Sequence, residues 1–254
     1  DSSFNKYPSE VELDNNQLPW LCVIHVGKCA GETVVKSLKS SLPELRRRII
    51  EYHVFDSNIL IKQLIELSQQ KPNVELIFCT RDPIQRWLSS FNWDFHTYKI
   101  SKHYYCPRYI LDLFDIYKNS KMLARGICSG EKQALTLAKA KHLIFGHMAM
   151  GQSWYLPKHL VGSIQETQMH IIRTEKIRKD INHCLHKLSN KYENLIDPMH
   201  NINIPVLKNS KYFRGNHSFT LIDHFSSMEV SALLEHLSAD VEVHQIMIDR
   251  FARN

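Results

Sequence analysis

The sequence predicts an α/β fold in a single domain spanning residues 1–254, with a central parallel sheet flanked by helices. Three observations predict it. Short apolar runs alternate with longer amphipathic segments, the pattern of strands joined by crossover helices. The chain has 254 residues, 43% hydrophobic and 23% charged, enough to bury one sizeable core. Polar turns bearing glycine or proline follow two of the apolar runs, at 25–31 and 80–83, where an open parallel sheet receives its ligands.

Taken in order, the polar start at 1–18 reads as an arm or loop over the surface. Leu21–Val26 is a short apolar strand, and a loop leads from it into a helix over 32–41. A second strand lies within 46–55. The helix after it, about Asn58–Gln69, is capped by Ser57 or Asp56, whose side-chain oxygens suit the free N–H groups of a first turn. Glu75–Thr80 is a third strand. Pro83 then opens a helix to Phe95, because a first-turn residue needs no N–H partner within the helix. Further helices are expected over Ile110–Lys118 and Glu131–Lys141, the former with a core stripe of Ile110, Leu113, Phe114 and Tyr117. Short strands are expected over Leu143–Phe145 and Leu160–Ile164. A helical region over 174–191 and two C-terminal helices divided near Ser238 complete the chain.

Composition narrows the function only a little. The 32 Lys and Arg exceed the 26 Asp and Glu, a net +6 that suits an anionic ligand without demanding one. The six cysteines are scattered, with no C-x-x-C spacing, and read as reduced thiols in a cytoplasmic setting. The chain begins at Asp1 without a Met, so a Golgi-luminal protein with a trimmed N-terminal anchor is the alternative. No run of about 18 apolar residues is present, so no membrane span is expected. The 15 histidines form no H-E-x-x-H or Cys/His ligand pattern, so no metal is expected either. No nucleic-acid partner is indicated.

Two segments carry the chemistry. The first, His25-Val-Gly-Lys-Cys-Ala-Gly-Glu-Thr33, lies at a strand-to-helix turn. Free N–H groups and the positive end of a helix dipole hold phosphate at such a turn. Gly27 and Gly31 let the backbone approach closely, Lys28 adds a charge and Thr33 a hydroxyl. A plain tight turn would use the same glycines. The loop does not match G-x-x-x-x-G-K-[ST], since its lysine precedes the second glycine, and this disfavours a nucleotide-dependent kinase with a P-loop. The second segment is Cys79-Thr-Arg-Asp-Pro-Ile-Gln-Arg-Trp-Leu-Ser-Ser-Phe91. Arg81 offers a planar fork for a phosphate and Ser89 a donor. Alternatively, Arg81 pairs with Asp82 or Asp94, and Ser89 is merely helical.

The two segments together resemble the PAPS-dependent sulfotransferases, and the resemblance is sharp at residues 21–33 and 78–91. It implies a P-loop-like strand–loop–helix in which the first segment holds the 5′-phosphosulfate of 3′-phosphoadenosine 5′-phosphosulfate (PAPS). Lys28, Cys29, Ala30, Gly31, Glu32 and Thr33 then bind the 5′ end, chiefly through backbone amides, with Lys28 at the leaving oxygen. Arg81 and Ser89 bind the 3′-phosphate. The family's loop often reads K-T-G-G-T or K-G-G-T, and here the threonine has moved along. The basic stretch Leu207–His217 is similar to one that closes over the nucleotide, which makes Lys208, Lys211 and Arg214 candidates there. A solvated basic loop is the other reading. PAPS is the implied donor, PAP (adenosine 3′,5′-bisphosphate) the product, and no metal is required.

Sulfuryl transfer needs a base for the acceptor's proton. Along Ile49–Asp56, strand alternation points Glu51 and His53 to one face, with Asp56 at the end of the run. A solvated strand face, with Asp56 as helix cap, fits that pattern equally. The order E-x-H-x-F-D is similar to that of the heparan sulfate 3-O-sulfotransferase and N-sulfotransferase group, where the glutamate is the base. By that resemblance Glu51 is the base, with His53 and Asp56 assisting and His53 the second choice. Aromatic and basic residues in the first half of 95–118 suit an acceptor groove for a glycan or small molecule, which the sequence does not identify. A module that binds PAP or a polyanion without chemistry is the non-catalytic alternative.

Overall fold

The computed structural model describes residues 17–52, 57–140, 146–192 and 225–252. Its elements in chain order begin with β1 Trp20–Ile24, α1 Gly31–Ser41, β2 Ile49–Tyr52, α2 Ser57–Gln70, β3 Val74–Thr80 and α3 Pro83–Asp94. There follow α4 Arg108–Ile116, α5 Ser120–Cys128, α6 Lys132–Ala138, α7 Gln152–Tyr155 and α8 Lys158–Val161. The last are β4 Met169–Arg173, α9 Ile177–Lys191, α10 Ser227–His236 and α11 Ser238–Phe251. Two compact units form from these. One draws on Asp1–Arg81, Trp154–Lys208 and Gln245–Asn254, the other on Asp82–Ser153 and Asn209–His244.

The first unit is built on a four-stranded sheet in the order β2-β1-β3-β4, with every pairing parallel. The central strands β1 (Trp-Leu-Cys-Val-Ile) and β3 (Val-Glu-Leu-Ile-Phe-Cys-Thr) are buried throughout, as expected of strands covered on both faces. Truncating Phe78, wholly buried in β3, to Ala would cost about 3–5 kcal/mol in lost contact and cavity. The chain leaves β1 through α1 to β2 on one side, then returns through α2 to β3 on the other. The neighbouring β1 and β3 thus form a topological switch point, beyond whose C-terminal strand ends open α/β sheets receive their ligands.

One strand expectation needs correction, and one strand was not expected. Leu160–Ile164 is not a strand. Pro157 precedes the short helix α8, and Arg250 donates to the carbonyls of Val161 (2.7 Å) and Ile164 (3.0 Å), which a ladder would have used. The fourth strand is Met169–Arg173, absent from the sequence reading. His170 gives that run a polar cast. It is tolerated in a buried strand because its Nε2 pairs with Glu75 of β3 at 3.0 Å. The expected helix over 174–191 begins instead with a 3-10 turn, Thr174–Lys176, before α9. The pair Leu143–Phe145 lies outside the described residues.

The second unit is helical. Its core joins Trp87, Leu88 and Phe91 of α3 to Ile110, Leu113 and Phe114 of α4, with contributions from α5, α6 and α10. Phe91 stacks near Phe95 and meets Phe114 edge-on, with ring centroids 5.8 and 6.1 Å away. The expected stripe of α4 is buried, Tyr117 included. From α3, the wholly buried Arg86 donates to the carbonyls of His147 (2.9 Å) and Met150 (3.3 Å) and to Asp240 (3.3 Å). Asp94 accepts from the Met148 N–H at 3.1 Å, and Asp240 from the Ser153 hydroxyl at 2.6 Å. These bonds pin the irregular segment 146–153 along α3 and satisfy groups too costly to bury alone. In the aromatic stretch expected to line an acceptor groove, Tyr98 belongs to this core, whereas Ile100 and Tyr105 are exposed.

Candidate functional site at the carboxyl ends of β1 and β3

The loop after β1 bends in an unexpected way. Left-handed backbone falls on Lys28 (φ 68°) and Ala30 (φ 60°), and neither Gly27 nor Gly31 has a positive φ. Each such non-glycine residue costs about 1–2 kcal/mol. The loop holds this shape partly through the Cys29 N–H, which donates to the Val26 carbonyl at 3.1 Å. That amide is therefore engaged inside the loop, and the Cys29 side chain is buried. Gly31 serves closeness rather than twist, because a Cβ there would overlap the His25 imidazole.

Gly31 begins α1, preceded by Ala30 with no side-chain cap. The Val34 N–H reaches back to the Ala30 carbonyl, so the amides of Gly31, Glu32 and Thr33 precede the first bond of the helix. Uncapped amides at the positive end of a helix dipole are the usual receptor for an anion. The Glu32 carboxylate does not oppose this. It turns to the exposed face of α1, pairs with Lys36 at 2.5 Å, and is 64% exposed.

Arg81 leaves the end of β3 beside the loop, and its Nη1 donates to the Lys28 carbonyl at 3.4 Å. The two segments singled out in the sequence thus meet within the first unit, at the switch point. Ser89, on α3, belongs to the second unit. Asp82 caps α3 by accepting from the Gln85 N–H, and Asp94 accepts from the His147 and Met148 amides.

Glu51 sits in β2 opposite Val23 of β1, one residue from the end of the ladder. By alternation His25, two residues beyond Val23, lies on the same face, and so does Cys79 of β3. The consequence is a carboxylate–imidazole pair, His25 Nδ1 to Glu51 Oε1, at 2.5 Å. Its side chains are 13% and 27% exposed, so the pair is sheltered without being sealed. Burial pushes the Cys79 thiol well above its ordinary range, with Cys29 and Glu51 adding to the shift, so that sulfur stays neutral. The sequence reading missed His25. Its signal was parity with Glu51, legible only once the β1–β2 register is known. His53, Asp56, Lys208, Lys211 and Arg214 lie outside the described residues.

At the opposite end of the same sheet face, Glu75 accepts from His170, from Lys191 at 2.6 Å and from Tyr192 at 2.6 Å. Burial alone would raise Glu75. Its hydrogen bonds, that from His170 first, outweigh burial and hold the carboxyl below its ordinary value. Burial likewise opposes charge on His170, but Cys184 and Glu75 carry its pKa up to about 10. This cluster ties the C-terminal end of α9 to β3 and β4.

All six cysteines are free thiols. Among the described residues no group of His, Cys, Asp and Glu is arranged to hold a metal, and no helix is long and apolar enough to cross a membrane. The first unit thus defines a parallel α/β class with an anion-receptive loop and a carboxylate–imidazole pair at a switch point. Compared with protein-family models, curated proteins and solved structures, the chain has no match.

Proposed function

We propose that the protein is a sulfotransferase that moves a sulfuryl group from PAPS to a hydroxyl or amino acceptor. One observation carries the reading. The lysine loop after β1 and Arg81 after β3 converge at the switch point through the Arg81–Lys28 bond, which brings together the two segments that resemble the family. The residues present fit the donor's 5′ end: uncapped amides of Gly31, Glu32 and Thr33, a glycine where any side chain would collide, and the ammonium of Lys28. Arg81 takes the 3′-phosphate.

When bound, the donor offers a sulfur to which an acceptor oxygen or nitrogen bonds as the bond from sulfur to the 5′-phosphate oxygen breaks. Glu51 takes the proton the acceptor loses. Lys28 offsets the charge left on the phosphate oxygen. Glu32 contributes its amide alone, since its carboxylate is engaged by Lys36 on the exposed face.

A transfer screen with radiolabelled PAPS, against glycans and small hydroxylated or amino compounds, tests this. Label in an acceptor supports the reading. Binding of PAP with no transfer to any acceptor would leave the non-catalytic module, and ATP binding with Mg²⁺ in preference to PAP would favour the kinase.

A further inference from the structure

We infer that His25 is the positioning residue of the site: it holds the Glu51 carboxylate in place and ties that place to the backbone of the lysine loop through Gly31. The inference rests on reading Glu51 as the base. His25 leaves the end of β1 with its N–H donating to the Tyr52 carbonyl at 3.1 Å, so its backbone is anchored to β2 beside Glu51. Its Nδ1 meets Glu51 Oε1 at 2.5 Å. The other side of the ring lies against Gly31, where an added Cβ would overlap Cγ and Cδ2. The imidazole is therefore wedged between the first residue of α1 and the carboxylate. A shift of the loop is passed to Glu51 through a rigid ring.

Cys79 of β3 lies within electrostatic reach of Glu51, Cys29 and Cys184 of α9. Lys28 and Cys29 belong to the loop, and Arg81 bonds the Lys28 carbonyl. Both Cys79 and Cys29 are buried.

The test compares His25→Ala, His25→Asn, Gly31→Ala and the double variant His25→Ala/Gly31→Ala in the full chain. His25→Ala is expected to lower kcat roughly tenfold or more with little change in the KM for PAPS. Asparagine supplies an N–H near the Nδ1 position and should recover most of the rate. An Asn variant no better than Ala, or a KM for PAPS that rises as kcat falls, would overturn the positioning role. The second arm needs no catalysis. Gly31→Ala should lower Tm by several degrees in the wild-type background, and by much less where the His25 ring is gone. Additive losses would overturn the tie to the loop. A wild-type chain that transfers no sulfuryl group would instead overturn Glu51 as base, while leaving the stability cycle readable.

Discussion

The Arg81 guanidinium donates to the Lys28 carbonyl across 53 residues of sequence, joining the end of β3 to one of the two left-handed residues of the loop after β1. The donor's own charge pattern supplies a direct check on this junction. PAP should raise the Tm of the wild-type chain more than AMP does. Ligand at about a hundred times its Kd stabilises by about 2.7 kcal/mol. Arg81→Ala should erase the difference between the two nucleotides, as measured by thermal shift. Arg81→Lys should restore only part of it, because a point charge lacks the fork. Equal shifts for PAP and AMP on the wild-type chain would argue against a 3′-phosphate site.

The left-handed residues put backbone strain into the loop after β1. Ala30→Gly should relieve about 1–2 kcal/mol of backbone strain, less roughly 0.4–1 kcal/mol for the freer unfolded chain. Tm should therefore rise slightly or stay level. Ala30→Val should fall clearly, because a β-branched residue is least at ease at positive φ. A stable Val variant, followed by calorimetry, would remove strain from the account of this loop.

Glu51→Gln should leave PAP binding unchanged and cut turnover about a hundredfold or more. The readout is kcat from the PAPS transfer assay, beside the nucleotide thermal shift. Turnover at the wild-type level would eliminate Glu51 as the base.

The Glu32–Lys36 pair is exposed on both sides, 64% and 51%. Such an i,i+4 pair contributes about 0.3–0.5 kcal/mol. Glu32→Ala should therefore alter stability by no more than that and leave nucleotide binding as it was. Binding that tightens markedly on its removal would show that the carboxylate opposes the anion after all.

The buried Glu75 cluster is the converse case. Glu75→Ala removes the carboxylate partner of the buried His170 and of Lys191, and should cost about 3–5 kcal/mol by urea denaturation. The sign with pH follows from the two shifts. His170 is raised from its ordinary 6.5 to about 10, so its contribution is full below about pH 6.5 and is lost as pH rises through 10. Glu75 is lowered from 4.5, so its contribution is full above that value and is lost at more acid pH. Wild-type stability should decline from pH 6.5 to 10, and His170→Gln should flatten that decline.

The parallel α/β class, the three strands up to Thr80, and the helices on either side were written in local pattern: apolar runs, Pro83 at a first turn, the stripe of α4. The same holds for the two anion-suited segments, whose residue types and spacing are local facts. Pairing across the chain was not legible. β4 looked polar because the partner that makes His170 acceptable, Glu75, is distant in sequence. Leu160–Ile164 looked like a strand because nothing local shows that Arg250 takes its carbonyls. The loop's glycines looked like hinges, yet the twist fell on Lys28 and Ala30, and Gly31 is required by the ring of His25. By itself the sequence determined the strand–loop–helix order and the residue types carried by the two segments. Only tertiary structure decided that Arg81 reaches Lys28, that Glu32 faces away, and that His25 grips Glu51. Strand register and crossover order set those contacts, and both are properties of how distant segments pack.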